Sequence, residues 1–363
     1  MRLRFLFALG LGTVIIGLTG LVVAQNRMSF SRVAPDGGHI GLGLALRKLN
    51  VSGTFMQCPA HPDDETNALF AMFGLGMGLR AIDLQNNRGE GGQNEIGPEL
   101  FRDLGVLRTS ELLAAHRLDS AEQYFTRAID YGYSFDPEEV IGKWGRKEIV
   151  GDYVRLFRTL RPDVVLTMNI QGRGGDRAHE ATTVLVQEGF RAAGDPAMYP
   201  EQVQEGLRPW QGRKLYFAGG FGGGGRGGSS PTAVKLTSVD TAAYDPLLGR
   251  TYAEIGSDAR ASHKCQGMGG LGMLPGMAGG RGGRGGAAGY QLRDTTIPGQ
   301  MAKDETSLFD GVDTRLAAVA QLAGPKPPTA LTAGLEAVVN DAKRAEIAFD
   351  AGNDAGAAAP IED

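Results

Sequence analysis

Thr54-Phe55-Met56-Gln57-Cys58-Pro59-Ala60-His61-Pro62-Asp63-Asp64-Glu65 is an apolar run that ends in a histidine, then turns into proline and three acids. A strand that hands over to a helix in this way delivers its last side chains to the edge where open α/β sheets bind ligands. His61 and Asp64 can converge on one cation across the turn, while Asp63 stays uncoordinated and faces water. A hydrolytic metal site needs that economy: few protein ligands, an open position and a nearby base. The same residues also fit ordinary helix-start chemistry, because proline at the first helical position and acids in the first turn suit the macrodipole. On these residues alone both readings stand.

Outward from this stretch, strand patterns fall at 54–60, 79–84, 123–129, 163–168 and 214–218, with helical patterns at 65–77, 109–118, 137–160 and 178–193. Such alternation predicts an α/β, Rossmann-like fold, a mostly parallel sheet flanked by helices. Arg161-Pro162-Asp163 marks a break between a helix and the strand that follows. A lead-in over 25–52, with a short apolar helix near 40–49, precedes a main α/β domain over 53–240. Residues 241–363 read as a glycine-rich extension with a helical rhythm over 242–264, a helix over 329–349 and a disordered tail. The glycine tracts at 219–228 and 267–289 are read as loops, since no strand–turn–helix frame makes them phosphate cradles. Arg226, Arg281 and Arg284 are too sparse for a nucleic-acid footprint.

With 37 basic and 41 acidic side chains in 363 residues, the charge is nearly balanced and no polyanion partner is implied. Met1-Arg2-Leu3-Arg4 and the uncharged run to Val23 predict a signal peptide over 1–24, or an uncleaved N-terminal anchor. Either places the rest of the chain outside the cytoplasm, periplasmic or secreted, with a membrane tether in the second case. Cys58 and Cys265 are too few for a disulfide framework.

A catalytic zinc typically takes three protein ligands, so a third must come from elsewhere in the chain. Of the five histidines, His39 lies in the lead-in, His116 sits mid-helix, and His263 stands near Cys265 as a weak metal pair. His179 differs from these. It follows the apolar strand Val164-Val165-Leu166-Thr167-Met168 and opens a helix, so it can reach the same crevice as His61.

Four motifs, Ala60-His61-Pro62-Asp63-Asp64-Glu65, Arg88-Gly89-Glu90-Gly91-Gly92, Leu107-Arg108-Thr109-Ser110-Glu111-Leu112 and His179-Glu180-Ala181-Thr182, occur in the order and spacing of a known family. The chain resembles the PIG-L/LmbE zinc-dependent N-deacetylases over roughly residues 50–220. That resemblance implies Zn²⁺ held by His61, Asp64 and His179, with Asp63 as general base toward water and an N-acetyl group, usually on an amino sugar, as substrate. It implies a small-molecule or glycan partner and no nucleic acid. Another divalent ion also suits two imidazoles and a carboxylate. Glu90, Arg108 and Asp130 match positions around the substrate, though each also has a structural explanation as a turn, cap or solvated residue. Arg208-Pro209-Trp210 and Gln266-Gly267-Met268-Gly269 resemble stretches of the family's large secreted members.

One departure stands out. Where the family places a histidine that stabilises the oxyanion and protonates the leaving amine, this chain has Asp176. A carboxylate there opposes developing negative charge, leaving Arg173 or Arg177 as a donor but not as an acid. The expectation is therefore hydrolysis of an N-acetyl amide. The alternative is a metal-containing carbohydrate-binding protein with little turnover.

Overall fold

The computed structural model describes residues 37–169, 176–219, 235–268 and 288–362. The signal-like segment, Arg173 and most of both glycine tracts lie outside the described residues. Two compact units form, residues 1–42 and 43–363; the described part of the first is the opening of helix α1 (Gly38–Leu49). No helix among the described residues is long and apolar enough to cross a membrane.

In the large unit a seven-stranded sheet runs in the order β3-β2-β1-β4-β5-β9-β6. Its strands are β1 (Thr54–Cys58), β2 (Arg80–Gln85), β3 (Glu122–Phe125), β4 (Val164–Thr167), β5 (Lys214–Ala218), β6 (Thr237–Val239) and β9 (Ala288–Thr295). The first five are parallel, and β9 pairs antiparallel with β5 and β6. All five residues of β1 are buried, because helices or loops cover both faces of the sheet. The two-residue period of the strands then sorts the side chains. Met56, Cys58, Ile82, Leu84, Val165 and Leu215 enter one core, with Tyr153, Val154 and Phe157 of helix α5 (Arg146–Leu160). Phe55, Val164, Leu166 and Tyr216 enter the other, with Phe70, Phe73 and Phe309.

The chain builds outward through β1, β2 and β3, then crosses to the other side of β1 to lay down β4. This reversal is the topological switch point, and the ends of β1 and β4 are adjacent there, Cys58 opposite Thr167. Segments that leave these two strands must meet.

Several sequence expectations shift in detail. Helix α2 starts only at Asn67 and, after Phe70, becomes a π-helical turn over Ala71–Gly76. Its expected first residues instead form a turn in which the Asp64 amide bonds the His61 carbonyl at 3.1 Å. The helix expected over 109–118 is longer, α3 (Phe101–Asp119). The pattern at 137–160 is two helices, α4 (Pro137–Trp144) and α5, because Gly145 takes φ 84° between them. After β4 come α6 (Ala178–Ala192) and the short α7 (Pro200–Gln204). The rhythm at 242–264 resolves into the β7–β8 hairpin (Tyr244–Asp245 and Arg250–Thr251) and helix α8 (Tyr252–Arg260). Thr251 and Glu254 form a capping box that starts α8. The expected disordered tail instead carries helix α10 (Asp354–Glu362), after α9 (Thr329–Asp350). Cys58 and Cys265 are both buried and free.

Helix α8 lies directly on α2. A Cβ built at Gly256 would sit 2.5 Å from the Ala68 amide nitrogen, so backbone meets backbone there. Gly256→Ala should cost about 1–3 kcal/mol by chemical denaturation, because overpacking outweighs the ~1 kcal/mol of added helix propensity. A neutral result would mean that α8 is free to lift from α2.

Candidate active site

His61 leaves β1 and His179 lies in the first turn of α6, the helix after β4, so the switch point brings them together with ring centroids 5.3 Å apart. Both are buried, 5% and 7% exposed. Asp64 Oδ2 lies 3.2 Å from His61 Nδ1 and 3.2 Å from His179 Nε2. A tetrahedral ion with bonds of about 2.0–2.1 Å keeps neighbouring ligand atoms about 3.3 Å apart, so these contacts have the spacing of a cation's ligands. Among the described residues, the group whose ligand atoms all lie within 4.8 Å of one another is a different one, His61, Asp176 and His179. Two imidazoles and a carboxylate fit Zn²⁺ and its divalent neighbours.

The electrostatics reinforce the pairing. Burial alone would raise the Asp64 carboxyl, but charge interaction and hydrogen bonding with His179 and His61 hold it well below the usual carboxylate range. His61 is desolvated, which lowers its pKa, yet its bond to Asp64 and the nearby Asp130 raise it overall.

Asp63 is held in a backbone conformation that few side chains adopt, φ 101°. Four contacts brace it. Its amide donates to Glu65 Oε2 at 2.7 Å, and Arg260 Nη1 donates to its carbonyl oxygen. On the carboxylate, Arg260 Nη2 lies 3.2 Å from Oδ2 and Arg108 Nη2 lies 3.6 Å from Oδ1. Burial, then the Asp64 charge, pushes the Asp63 carboxyl up, against the pull of Arg260, Gln266 and Arg108. A carboxylate with a raised pKa is a better proton acceptor near neutrality.

Arg108 is fully buried. Its guanidinium also donates to the carbonyls of Pro62, Gly89 and Gly92, tying the histidine turn to the glycine-rich loop. Gly89 has φ 70°, and a Cβ there would lie 2.1 Å from Arg108 Nη1, so only glycine leaves room for that arginine.

Glu65 finds its partners away from His179. Its Oε1 meets His263 Nε2 at 2.6 Å, and the carboxylate also receives Asn67 and Gln85. Gln85 and Asn67 continue to Asp83 and Asp119, and both acids bond His116, so a ring of buried polar groups lies beneath the turn. His116 is thus a packed histidine. Asp83, desolvated in this ring, is pushed up to about 6.

The sequence gives Arg260 no role, and offers His263 only as a weak metal pair with Cys265 and Gln266 only as part of a resembling stretch. They lie in and just after α8, nearly two hundred positions from the turn they brace. The only signal was indirect: Glu65, a third acid beside the ligand motif, needs a cation when buried. His263 answers to Glu65 and not to Cys265, whose amide instead bonds Glu111.

The remaining expected residues divide. Glu90 accepts the Arg88 and Asp130 amides at 3.0 and 3.1 Å, joining two loops. Asp130 lies 3.9 Å from His61 Nε2 and accepts the Gly91 and Gly132 amides. Asp176 Oδ2 lies 3.7 Å from His61 Nε2. Arg177 pairs with Glu180 at 3.1 Å, its side chain 38% exposed, so its guanidinium is committed beside α6.

Residues 56–190 match the family model described as PIG-L: GlcNAc-PI de-N-acetylase. No curated protein matches the chain. Similar solved structures include N,N'-diacetylchitobiose deacetylase from Pyrococcus horikoshii, complexed with its inhibitor MPG, at 17% identity, TM-score 0.46, 66% of this chain and 83% of that one. Another is GalB, the 4-carboxy-2-hydroxymuconate hydratase from Pseudomonas putida KT2440, at 14% identity, TM-score 0.46, 68% of this chain and 98% of that one. All four motifs fall inside the matched span, so the resemblance they carry coincides with residues 56–190 of this chain.

Proposed function

We propose that this chain is a metal-dependent N-deacetylase, similar to the PIG-L/LmbE family, that hydrolyses the acetamide of an N-acetylated amino sugar or its conjugate. The observation that carries the proposal is the meeting of His61, Asp64 and His179 at the switch point, with the Asp63 carboxylate braced beside them. His61, Asp64 and His179 would hold the cation, zinc by the resemblance. When bound, it supplies Lewis acidity, polarising a carbonyl oxygen and making water more acidic.

The rest falls to the chain's own groups. Asp63 takes a proton from water as the oxygen attacks the acetamide carbon. When the C–N bond breaks, the departing amine needs one proton, and the one held on Asp63 is within the same pocket. Arg108 and Arg260 keep that carboxylate aimed and supply compensating positive charge. Glu90 and Asp130 shape the loops that border the pocket. The N-terminal segment would deliver this activity to the periplasm or the exterior, released or tethered to the membrane.

The test is release of acetate from N-acetylglucosamine, chitooligosaccharides and N-acetylglucosaminyl conjugates with added Zn²⁺. Stoichiometric acetate and free amine are expected on at least one of them. Asp176 favours a second reading, a metal-containing carbohydrate-binding protein, because a carboxylate stands where an oxyanion donor is expected. Losing one such donor costs about 10²–10³ in rate. Sugar binding without acetate release across the whole panel would establish that reading instead.

A further inference from the structure

A backbone at φ 101° is costly for aspartate, so neighbouring structure must hold Asp63 there. The bond on its amide comes from a carboxylate two positions on: the Asp63 N–H donates to Glu65 Oε2 at 2.7 Å. The other oxygen of Glu65 meets His263 Nε2 at 2.6 Å. Both bonds are shorter than those Glu65 receives from Gln85 and Asn67, at 3.2 and 3.3 Å. The Glu65 and His263 side chains are fully buried. Nδ1 of the histidine has no partner among the described residues, so the ring serves Glu65 alone. His263 is itself fixed from the far side. Two residues on, the Cys265 amide donates to Glu111 Oε1 at 2.7 Å and its carbonyl accepts the Glu95 amide at 2.6 Å. Gln266 Nε2 then donates to Gln93 Oε1 at 2.7 Å. The exit of α8 is thereby anchored on α3 and on the glycine-rich loop, independently of Glu65.

We propose that His263 is a positioning residue for the hydrolysis: it orients Glu65, Glu65 holds the Asp63 amide, and the base keeps the backbone conformation from which its carboxylate acts. This rests on Asp63 as the base of the proposed function. His263 lies outside the His61, Asp64 and His179 set, so its loss should lower kcat and spare metal content and KM. His116 supplies the contrast. It belongs to the same buried ring but bonds Asp83 and Asp119 and not Glu65. Weakening the ring there loosens packing and leaves the path from His263 to Asp63 in place.

The experiment compares His263→Ala, His263→Gln and His116→Gln with wild type in the full chain, each loaded with Zn²⁺ and its active sites counted by bound metal. Two readouts are taken: kcat and KM for acetate release, and deuterium exchange of the peptide spanning 59–66 in metal-free protein. In His263→Ala, kcat should fall at least about tenfold at unchanged KM and metal content, a misplacement of about 1 Å alone costing about 10²-fold. The 59–66 turn should exchange faster in the same variant. Glutamine keeps an N–H near the place of Nε2, so His263→Gln should recover most of the kcat and the slow exchange. His116→Gln should melt earlier with little change in kcat. Should the stranded Glu65 charge keep His263→Ala from folding, the double variant Glu65→Leu, His263→Leu buries no charge and is measured in its place, with the same losses expected. Wild-type kcat and slow exchange in the folded alanine or double variant would overturn the inference. So would an equal loss of kcat in His116→Gln, the mark of a merely structural ring. Wild-type protein that releases no acetate would instead bring down the proposed function, and the exchange comparison would still decide whether His263 holds the turn.

Discussion

His61→Ala and His179→Ala should each yield protein without stoichiometric metal and without acetate release. The wild type should carry about one ion per chain. Each imidazole is a large share of a small ligand set, and they come from segments that meet only at the switch point. Removing either leaves Asp64, a carboxylate held well below its ordinary pKa by both histidines, facing a single partner. The check is elemental analysis of purified protein beside its activity. The fold control is the melting curve of each variant against metal-free wild type, since both side chains are small parts of a core dominated by the sheet. A variant that kept its full complement of metal would show that the cation, if present, sits elsewhere.

Asp63→Asn should separate metal from chemistry. Metal content stays at the wild-type value, while kcat/KM falls by about 10²–10⁴, the usual share of a positioned general base. Asparagine has nearly the same shape and tolerates positive φ, so the backbone at 101° is accommodated in the variant as well. It keeps an acceptor for Arg260 but no longer takes up a proton. Activity within a few-fold of wild type would mean that another group accepts the proton, with Asp176 the next carboxylate in reach of the pocket.

Much of this was legible in the sequence, for reasons that differ by element. Strand β5 matches its expected span because a short, continuous run, Leu215-Tyr216-Phe217-Ala218, follows Lys214 between clear breaks. The order of strands and helices follows from the same periodicity, and so does the convergence of His61 with His179 at two strand ends. Helix α2 starts late because the Glu65 carboxylate and the Asp64 amide are spent on the turn, a tertiary demand that overrides helix-start chemistry. Helix α10 lies in a segment rich in alanine and glycine, with Pro360 inside it, where composition pointed to disorder. Arg260 and His263 were invisible for a different reason. Their meaning lies in a contact across the whole domain, which no local pattern encodes.

That distance has a consequence for how the site comes into being. A ribosome emits the turn around Asp63 long before the helix that braces it, with 197 positions between Asp63 and Arg260. Until that later stretch emerges, Glu65 lacks its histidine, and an unpaired buried charge is costly enough to keep the turn open. The entropic penalty of closing so long a loop grows only as the logarithm of its length, so docking is affordable once the partner arrives. The brace on Asp63 is therefore completed only once that later stretch has been made. A nascent chain, or one trimmed to the family-matched span, would have the ligands in sequence but not the clamp that aims its base.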